Sequence, residues 1–267
     1  MNSRDMLSYF NLTNVPFGKE ICTNQLQLLP SVERNLAAAR LLVETKGIGL
    51  ITGKAGSGKS CLLRLLADGL PAGLYKCFYL CHSSVGIVEF YTHLVSIFGH
   101  EPCYRRAAMF RNFKERVLSM NTAGHVHPVL LIDEAHLLNN DILAEIRLLT
   151  NFQIDSLNAL TVLLCGAESL GRKFGLSLLE ALANSITVTI SVDGLSKEES
   201  FSYIENRLTD CGSKTPLLTK NAMELIHQAA GGILRTIGTI ANASLMKAFI
   251  AKSQQVETEH VQAVIKR

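Results

Sequence analysis

A glycine-rich segment at residues 53–60 has the spacing Gly-x-x-x-x-Gly-Lys-Ser and directly follows a short apolar run. Its glycines let successive backbone N–H groups turn toward phosphate oxygens, and the helix that follows adds its positive N-terminal end. Lys59 is positioned to neutralise the β- and γ-phosphates of a nucleotide, and Ser60 to bind Mg²⁺. The alternative, a chance glycine-rich turn, fits poorly with the position of the motif between a strand and a helix. The residues predicted to bind the nucleotide are Gly53, Lys54, Ala55, Gly56, Ser57, Gly58, Lys59, Ser60 and Cys61.

A pair of carboxylates, Asp133 and Glu134, follows the apolar run Val129–Ile132. Ligands of open α/β sheets bind at the C-terminal ends of the strands, which is where this pair is expected. Asp133 is predicted to hold Mg²⁺ together with Ser60, and Glu134 to orient and polarise an attacking water. The predicted catalytic residues are therefore Glu134 and Lys59. An acidic N-cap of the next helix is the alternative interpretation of the pair.

The elements around these motifs alternate between short apolar strands and helices, which predicts a parallel sheet covered on both faces. The predicted strands are 49–52, 75–80, 129–132, 160–165 and 186–190. The predicted helices among them are 30–46, 59–68, 85–98, 106–120, 140–151 and 176–184. The fold class is therefore α/β, with a five-stranded parallel sheet that carries the phosphate-binding loop.

Beyond Ser191 the pattern becomes helical only, with predicted helices at 197–210, 219–230, 234–250 and 257–266. Ser196 and Glu199 have the spacing of a capping box, which marks the start of the first of them. The predicted domains are an irregular N-terminal arm (residues 1–29), an α/β core (30–192) and a small all-α domain (193–267).

The composition fits a compact protein, since 48% of the 267 residues are apolar and only 18% are charged. No apolar run approaches the roughly 18 residues that cross a bilayer, and the N-terminus lacks a secretory signal. The cysteines are odd in number, seven, and scattered, as expected of free thiols in a reducing compartment. We therefore predict a cytoplasmic protein without membrane contact.

The order of the phosphate-binding loop, the sequence Leu-Ile-Asp-Glu-Ala-His at 131–136 and the helical tail resembles the AAA+ ATPases. Together with the arm sequence Tyr9–Phe17, it is most similar to one branch of them. That branch contains the ATPase domain of the general secretion pathway A protein and the ATPases encoded beside transposases in bacterial insertion elements. The resemblance implies ATP and Mg²⁺ as cofactors and a helical lid domain at residues 193–267.

The resemblance implies two further contacts with ATP. Arg235 matches the family's second sensor, which reaches from the lid to the γ-phosphate; a solvated arginine is the alternative. Pro16 and Phe17 match the part of the arm that lies near the adenine. For these two residues the alternative is an ordinary hydrophobic arm packed on the core.

Two departures from the family pattern predict slow hydrolysis. Where relatives carry a polar first sensor, this chain has Ala167, although Glu168 or Ser169 could orient a water. Where relatives carry an arginine finger, this chain has Ser185, and such a finger is worth about 10³–10⁵ in turnover. Arg172 or Lys173 could substitute for it.

The densest basic segment comprises Tyr104, Arg105, Arg106, Arg111, Lys114 and Arg116, and we call it the basic cluster. Arg105, Arg106 and Arg111 are the predicted DNA-binding residues, because arginines at a loop and a helix start can contact phosphates without reading sequence. A solvated helix face is the alternative.

These features lead to one main functional hypothesis. The protein is predicted to be an ATPase that assembles with itself, through bound ATP, into a ring or filament on duplex DNA. The resemblance implies that this assembly regulates a transposase. The first alternative is a secretion-pathway ATPase, although such relatives continue into a membrane span and this chain stops at Arg267. The second is a nucleotide-gated scaffold that scarcely hydrolyses ATP.

Overall fold

The computed structural model describes residues 3–18, 21, 23–81 and 86–266. These residues form two compact units. The helical unit comprises the described residues of Met1–Glu33, Gly56–Gly58 and Asp193–Arg267, and the α/β unit those of Arg34–Ala55 and Lys59–Val192. By its contacts, the arm (1–29) therefore groups with the helical unit. The division at residues 29/30 and 192/193 stays a prediction.

The described residues form five strands that make one sheet. The strands are β1 (Ile48–Thr52), β2 (Tyr75–Leu80), β3 (His127–Ile132), β4 (Thr161–Gly166) and β5 (Ile186–Ser191). They are all parallel, in the order β2-β3-β4-β1-β5. Every residue of β3 and β4 is buried, as expected for central strands that are covered on both faces. The predicted five-stranded parallel sheet is confirmed.

The helices of the described residues fall close to their predicted positions in most cases. In chain order they are α1 (Ser3–Tyr9), α2 (Pro30–Thr45), α3 (Lys59–Gly69), α4 (Ile87–Ile97), α5 (Arg106–Thr122), α6 (Asn140–Thr150), α7 (Ser169–Lys173), α8 (Glu180–Ala183), α9 (Lys197–Asp210), α10 (Lys220–Ala230), α11 (Leu234–Ile250) and α12 (Thr258–Ile265). The predicted start of α4 at Val85 lies outside the described residues. Within the part of the chain that the structure describes, no helix has the length and apolar character needed to cross a bilayer.

The α/β unit has one hydrophobic core on each face of the sheet, because successive strand residues point to opposite faces. Leu130, Ile132 and Leu164 pack with α4, α5 and α6 on one face. Leu131 and Leu163 pack with α2 and α3 on the other. Burying one such side chain stabilises the fold by about 1.5–3 kcal/mol. These two cores fix the positions of β1 and β3, whose C-terminal ends carry the phosphate-binding loop and the pair Asp133–Glu134.

The helical unit packs α1 and α9 to α12 around a core of its own. The predicted capping box begins α9: the Ser196 hydroxyl accepts a 3.2 Å bond from the Glu199 N–H. The Glu199 carboxylate in turn accepts a 3.1 Å bond from the Ser196 N–H. The capping box is therefore confirmed, and it satisfies two N–H groups that the helix start would leave unpaired.

The prediction of an irregular arm is wrong at its N-terminal end, where α1 spans Ser3–Tyr9. Met6 and Phe10 are four residues apart, so they lie on one face of the chain. Both are buried in the core of the helical unit, together with Leu12. This packing stabilises a helix that is too short to be stable alone.

The single helix predicted at 176–184 is also wrong. The chain instead forms α7, a 3₁₀ turn at Ser177–Leu179 and the short α8. The N–H of Gly175 bonds to the carbonyl of Arg172, which closes a turn after α7. Glycine is a poor helix former, and Gly171 and Gly175 explain why the helical segments stay short.

His127, at the start of β3, makes the stability of the fold sensitive to acid. Its side chain is buried, with ring nitrogens 3.2 Å from Asn121 Oδ1 and 2.9 Å from Thr161 Oγ1. Burial, and secondarily the charge of Lys46, lowers the pKa of His127 to about 4. In the unfolded chain the pKa is about 6.5, so between pH 6.5 and 4 the unfolded state binds more protons than the folded state.

As the pH is lowered from 6.5 to 4, we therefore expect the protonation of His127 to reduce the free energy of unfolding by about 1.4 kcal/mol per pH unit. His127→Gln removes the titration and is expected to flatten the slope, whatever its effect on stability at neutral pH. Chemical unfolding at pH 6.5, 5.5 and 4.5 measures this. His125→Asn, at an exposed position, is the control. Equal slopes for His127→Gln and the wild type would contradict the prediction.

Candidate active site

The phosphate-binding loop connects β1 to α3, and two of its glycines adopt a backbone conformation that other residues rarely reach. Gly56 has φ +82° and Gly58 has φ +109°. A Cβ at Gly56 would lie 2.7 Å from Cβ of Arg235, and one at Gly58 would lie 2.8 Å from Cδ1 of Leu234. Substitution at either position would therefore meet backbone strain and a steric clash. The motif needs glycine at both places.

Lys59 is the first residue of α3, and its ammonium is folded back over the loop. Nζ donates 2.9 Å hydrogen bonds to the carbonyl oxygens of Gly53 and Lys54. Among the described residues, the buried Oγ of Ser57 has no hydrogen-bond partner. A cation held inside the loop and an unpaired hydroxyl are the groups that a bound phosphate would engage.

Ser60 and Asp133 lie together, as the two motifs predict. The Ser60 hydroxyl donates a 2.9 Å bond to Oδ2 of Asp133, which is only 3% exposed. The backbone N–H of Glu134 donates a 2.9 Å bond to Oδ1 of the same carboxylate. A hydroxyl and a carboxylate are the hard oxygen ligands that Mg²⁺ prefers, so this donor set fits the metal.

Glu134 follows in the left-handed conformation, with φ 51° and ψ 31°, which is uncommon for a residue other than glycine. This conformation leaves its side chain about half exposed, in contrast to buried Asp133. A 3₁₀ helix, Ala135–Leu137, comes next, and Glu134 occupies its N-cap position, although its side chain forms no capping hydrogen bond. The following α-helix, α6, is capped by Asn139, whose Oδ1 accepts from the Ile142 N–H. The N-cap interpretation therefore holds for the position of Glu134 but not for a capping bond from its carboxylate.

His136 connects this segment to the loop after β4. Its Nδ1 accepts a 3.3 Å bond from the N–H of Ala167 and lies 3.3 Å from Oε2 of Glu134. Lys173 donates 2.7 Å bonds to the carbonyls of His136 and Leu138. The first-sensor segment thus contacts the region of Glu134 through a backbone N–H and a lysine, rather than through a polar side chain at position 167.

Tyr79 is a site residue that the sequence analysis missed. Its hydroxyl donates a 3.1 Å bond to Oδ2 of Asp133. Burial raises the pKa of Tyr79, and Cys81 and Asp133 raise it further, so the phenol stays protonated at neutral pH. Burial, followed by the charge of Asp133, also raises the pKa of Cys165, which keeps that thiol neutral.

The candidates for an arginine finger differ in their surroundings. The Ser185 hydroxyl bonds to the carbonyl of Ala181, one turn earlier. Lys173 is occupied by the two carbonyls of its own chain. Arg172 is exposed and forms no ion pair with any residue that the structure describes. Of the two substitutes suggested by the sequence, only Arg172 has a free side chain.

Arg235, Pro16 and Phe17 all lie in the helical unit. The N–H of Arg235 donates a 3.1 Å bond to the carbonyl of Gly56, and its exposed side chain forms no ion pair with a described residue. The Pro16 carbonyl accepts a 2.9 Å bond from the buried side chain of Arg207. The Phe17 ring packs against Gly238 and lies 5.9 Å from that of Tyr203. Both interpretations of Pro16 and Phe17, as adenine contacts and as a packed arm, remain predictions.

The basic cluster is divided by its contacts. The Lys114 ammonium donates to the carbonyls of Leu148, Leu149 and Asn151 at the end of α6, and its burial lowers the pKa to about 8. Arg116 bonds to the carbonyl of Phe98. Both side chains therefore satisfy helix ends within the α/β unit.

The three predicted DNA-binding arginines differ in the same way. Arg106 pairs with Glu145 and lies over the ring of Tyr91. Arg105 is exposed, and Arg111 is 71% exposed with a long 3.9 Å contact to Glu115. Arg105 and Arg111 are thus the arginines of this set whose charge is directed to solvent.

Residues 40–174 match the AAA domain family. The chain is 30% identical to the general secretion pathway protein A of Aeromonas hydrophila over 253 residues. The aligned region covers 93% of this chain and 46% of that protein. The chain therefore spans about half the length of this curated relative.

The fold is similar to those of several solved structures. Cdc6p from Pyrobaculum aerophilum has a TM-score of 0.70 at 15% identity, over 90% of this chain and 67% of that one. The Aeropyrum pernix ORC2 protein, in ADPNP–ADP complexes, has a TM-score of 0.71 at 14% identity, over 94% and 71%. The Aeropyrum pernix ORC1 protein in complex with DNA has a TM-score of 0.65 at 16% identity, over 90% and 65%. At these identities the likeness shows the fold alone.

Proposed function

Since this chain belongs to the AAA domain family of AAA+ ATPases, we propose that it binds and slowly hydrolyses Mg²⁺–ATP and assembles on duplex DNA as an accessory regulator of a transposase. The observation that carries the nucleotide part is the pairing of Ser60 with Asp133 beside the ammonium of Lys59. Two motifs 73 residues apart in sequence come together with the ligand types that a metal–triphosphate complex requires.

Each residue of the proposed site has a distinct task. Lys59 would exchange the loop carbonyls for phosphate oxygens, and Ser60 with Asp133 would hold Mg²⁺, which when bound would supply positive charge to neutralise the phosphates. The Glu134 carboxylate would accept a hydrogen bond from the attacking water and thereby polarise that water. By the resemblance, Arg235 would contact the γ-phosphate as the second sensor, and its backbone N–H bonds to the carbonyl of Gly56 in the phosphate-binding loop. Hydrolysis is slow because Ser185 and Ala167 stand where an arginine finger and a polar sensor are expected.

The DNA part of the proposal is supported by charge. Arg105 and Arg111 are exposed arginines on or beside α5 that can bind phosphates of a duplex without reading its sequence. The Aeropyrum pernix ORC1 protein, whose fold is similar, was solved in complex with DNA. ATP-dependent self-assembly into a ring or filament would repeat these arginines along the duplex. The transposase partner is supported by the sequence resemblance.

A second candidate function is an ATPase of a secretion pathway. The 30% identity to the general secretion pathway protein A favours it. That function does not need a duplex-DNA surface, so DNA binding distinguishes the two candidates. A nucleotide-gated scaffold is favoured by Ser185 and Ala167, and turnover measurements distinguish it from both.

Fluorescence anisotropy with a labelled duplex tests the DNA proposal, with Mg²⁺–ATP, with a non-hydrolysable analogue and without nucleotide. We expect nucleotide-dependent binding that weakens with salt. Arg105→Ala/Arg111→Ala is expected to reduce the slope of log K against log salt by about 2, since each phosphate contact contributes about 0.9.

The matched control is Arg34→Ala/Arg40→Ala, which removes two exposed arginines from α2. Its salt slope should equal that of the wild type. An unchanged slope in the Arg105/Arg111 variant would show that the DNA lies elsewhere. No binding under any nucleotide condition, by protein shown to bind ATP, would favour the secretion candidate.

A further inference from the structure

The carboxylate of Asp133 receives hydrogen bonds from three separate segments. Oδ2 accepts from the Ser60 hydroxyl on α3 and from the Tyr79 hydroxyl on β2. Oδ1 accepts from the N–H of Glu134. These three bonds occupy most of the roughly four lone-pair sites of the carboxylate, and the Cys165 thiol also lies within hydrogen-bonding reach of it.

The Tyr79 bond restrains the orientation of the Asp133 carboxylate. With Ser60 and Tyr79 both on Oδ2, the carboxylate cannot rotate without breaking bonds to two elements, α3 and β2. The Ser60 hydroxyl donates its proton to Asp133, which leaves its own oxygen lone pairs for a cation. Tyr79 therefore fixes the orientation of the donor set without contributing a metal ligand itself.

The position of Tyr79 argues against a role in packing alone. It lies on the edge strand β2 and is 52% exposed, so its ring contributes little to the core. Its hydroxyl nevertheless turns inward to a carboxylate that is 3% exposed. The neighbouring strand β3 brings Asp133 within reach, because Tyr79 is in register with Leu131, two residues before it.

We propose that Tyr79 is a positioning residue for the magnesium site, holding the Asp133 carboxylate in the orientation that accepts Mg²⁺–ATP. This inference rests on the proposed Mg²⁺–ATP function and adds to it a residue outside both nucleotide motifs. Partners that orient a metal ligand in this way commonly change metal affinity about 10- to 100-fold when they are removed.

The test measures the affinity of a fluorescent ATP analogue in EDTA and across a Mg²⁺ titration, for the wild type and for Tyr79→Phe. We expect Tyr79→Phe to bind the analogue in EDTA as the wild type does. The Mg²⁺ concentration that gives half of the affinity gain should rise about tenfold, because the freed carboxylate must be ordered by the metal itself.

Two further variants calibrate the result. Tyr75→Phe removes a hydroxyl from the same strand four residues earlier, about 13 Å away, and should respond to Mg²⁺ as the wild type does. Asp133→Asn should lose the response to Mg²⁺. Thermal unfolding of all variants confirms that each is folded, as expected for the exposed Tyr79 side chain.

Three outcomes would overturn the inference. If Tyr79→Phe has the Mg²⁺ response of the wild type, Tyr79 does not position the site, while the proposed function stands. If Tyr79→Phe and Tyr75→Phe shift equally, the effect belongs to the strand and not to the Asp133 bond. If the wild type binds no ATP analogue at all, the proposed function fails together with the inference.

Discussion

Glu134→Gln is expected to bind ATP with the affinity of the wild type and to lose about 10²- to 10⁴-fold in turnover, the usual contribution of a general base. The carboxylate of Glu134 is half exposed, and it directly follows the buried Asp133. Its amide counterpart has nearly the same shape but no charge with which to polarise a water. Phosphate release under saturating ATP and equilibrium binding of a fluorescent analogue measure the two effects separately.

Glu180→Gln is the matched control, because Glu180 is an exposed glutamate of the same α/β unit to which no catalytic role is assigned. We expect it to keep most of its turnover. Equal losses in both variants would mean that the loss is not specific to the Glu134 carboxylate. Full turnover in Glu134→Gln would contradict the assignment of Glu134 as the residue that activates water.

Lys59→Ala is expected to weaken ATP binding about 100-fold. A hydrogen bond to a charged group is worth about 1.5–3 kcal/mol, and 1.4 kcal/mol corresponds to a factor of ten in affinity. In the wild type the Lys59 ammonium already lies inside the loop, on the carbonyls of Gly53 and Lys54, so little reorganisation is needed to reach a phosphate. Equilibrium binding of ATP with Mg²⁺ measures the loss.

Lys54→Ala tests whether this effect belongs to position 59 or to charge in the loop. Lys54 is exposed and contributes its backbone carbonyl to the contact with Lys59. We expect a change of less than about threefold, as is usual for an exposed charge. An equal loss of affinity in Lys54→Ala would contradict the specific role of Lys59.

The sequence indicates which residues lie together in the candidate site where each motif is local in the chain. The loop at 53–60 and the pair Asp133–Glu134 are each encoded in a few consecutive residues, and the strands before them are continuous apolar runs. The structure brings Ser60 and Asp133 to 2.9 Å, as that pairing requires. Tyr79 could not be found in this way, because its role depends on β2 lying beside β3. The sequence of neither strand shows the order of the strands in the sheet.

The basic cluster shows what the sequence could not predict. Counting charges between residues 101 and 120 predicts a cationic surface, but a count does not tell which cations have partners. Lys114 and Arg116 bond to carbonyls at helix ends, and Arg106 pairs with Glu145. The acceptors of these three side chains lie 18 to 39 residues away in sequence. Only the packing of α5 therefore shows that Arg105 and Arg111 are the arginines whose side chains are exposed to solvent.

The helix α1 illustrates how tertiary packing overrides local sequence. The seven residues of α1 have no strong capping signal, so their sequence predicts irregular structure. Isolated helices of that length are also unstable in water. Met6 and Phe10 are buried in the helical unit, and that burial stabilises the helix. The irregular structure predicted for residues 1–29 therefore fails at the place where the arm contributes to a core.

The measurement that tests the central claim most directly is ATP turnover by the wild type with and without duplex DNA, at low salt and with saturating Mg²⁺–ATP. We predict slow turnover that rises clearly with DNA, with the stimulation reduced in Arg105→Ala/Arg111→Ala and turnover reduced by at least about 100-fold in Glu134→Gln. Turnover that is the same with and without DNA, in protein shown to bind ATP, would contradict an ATPase cycle coupled to assembly on DNA.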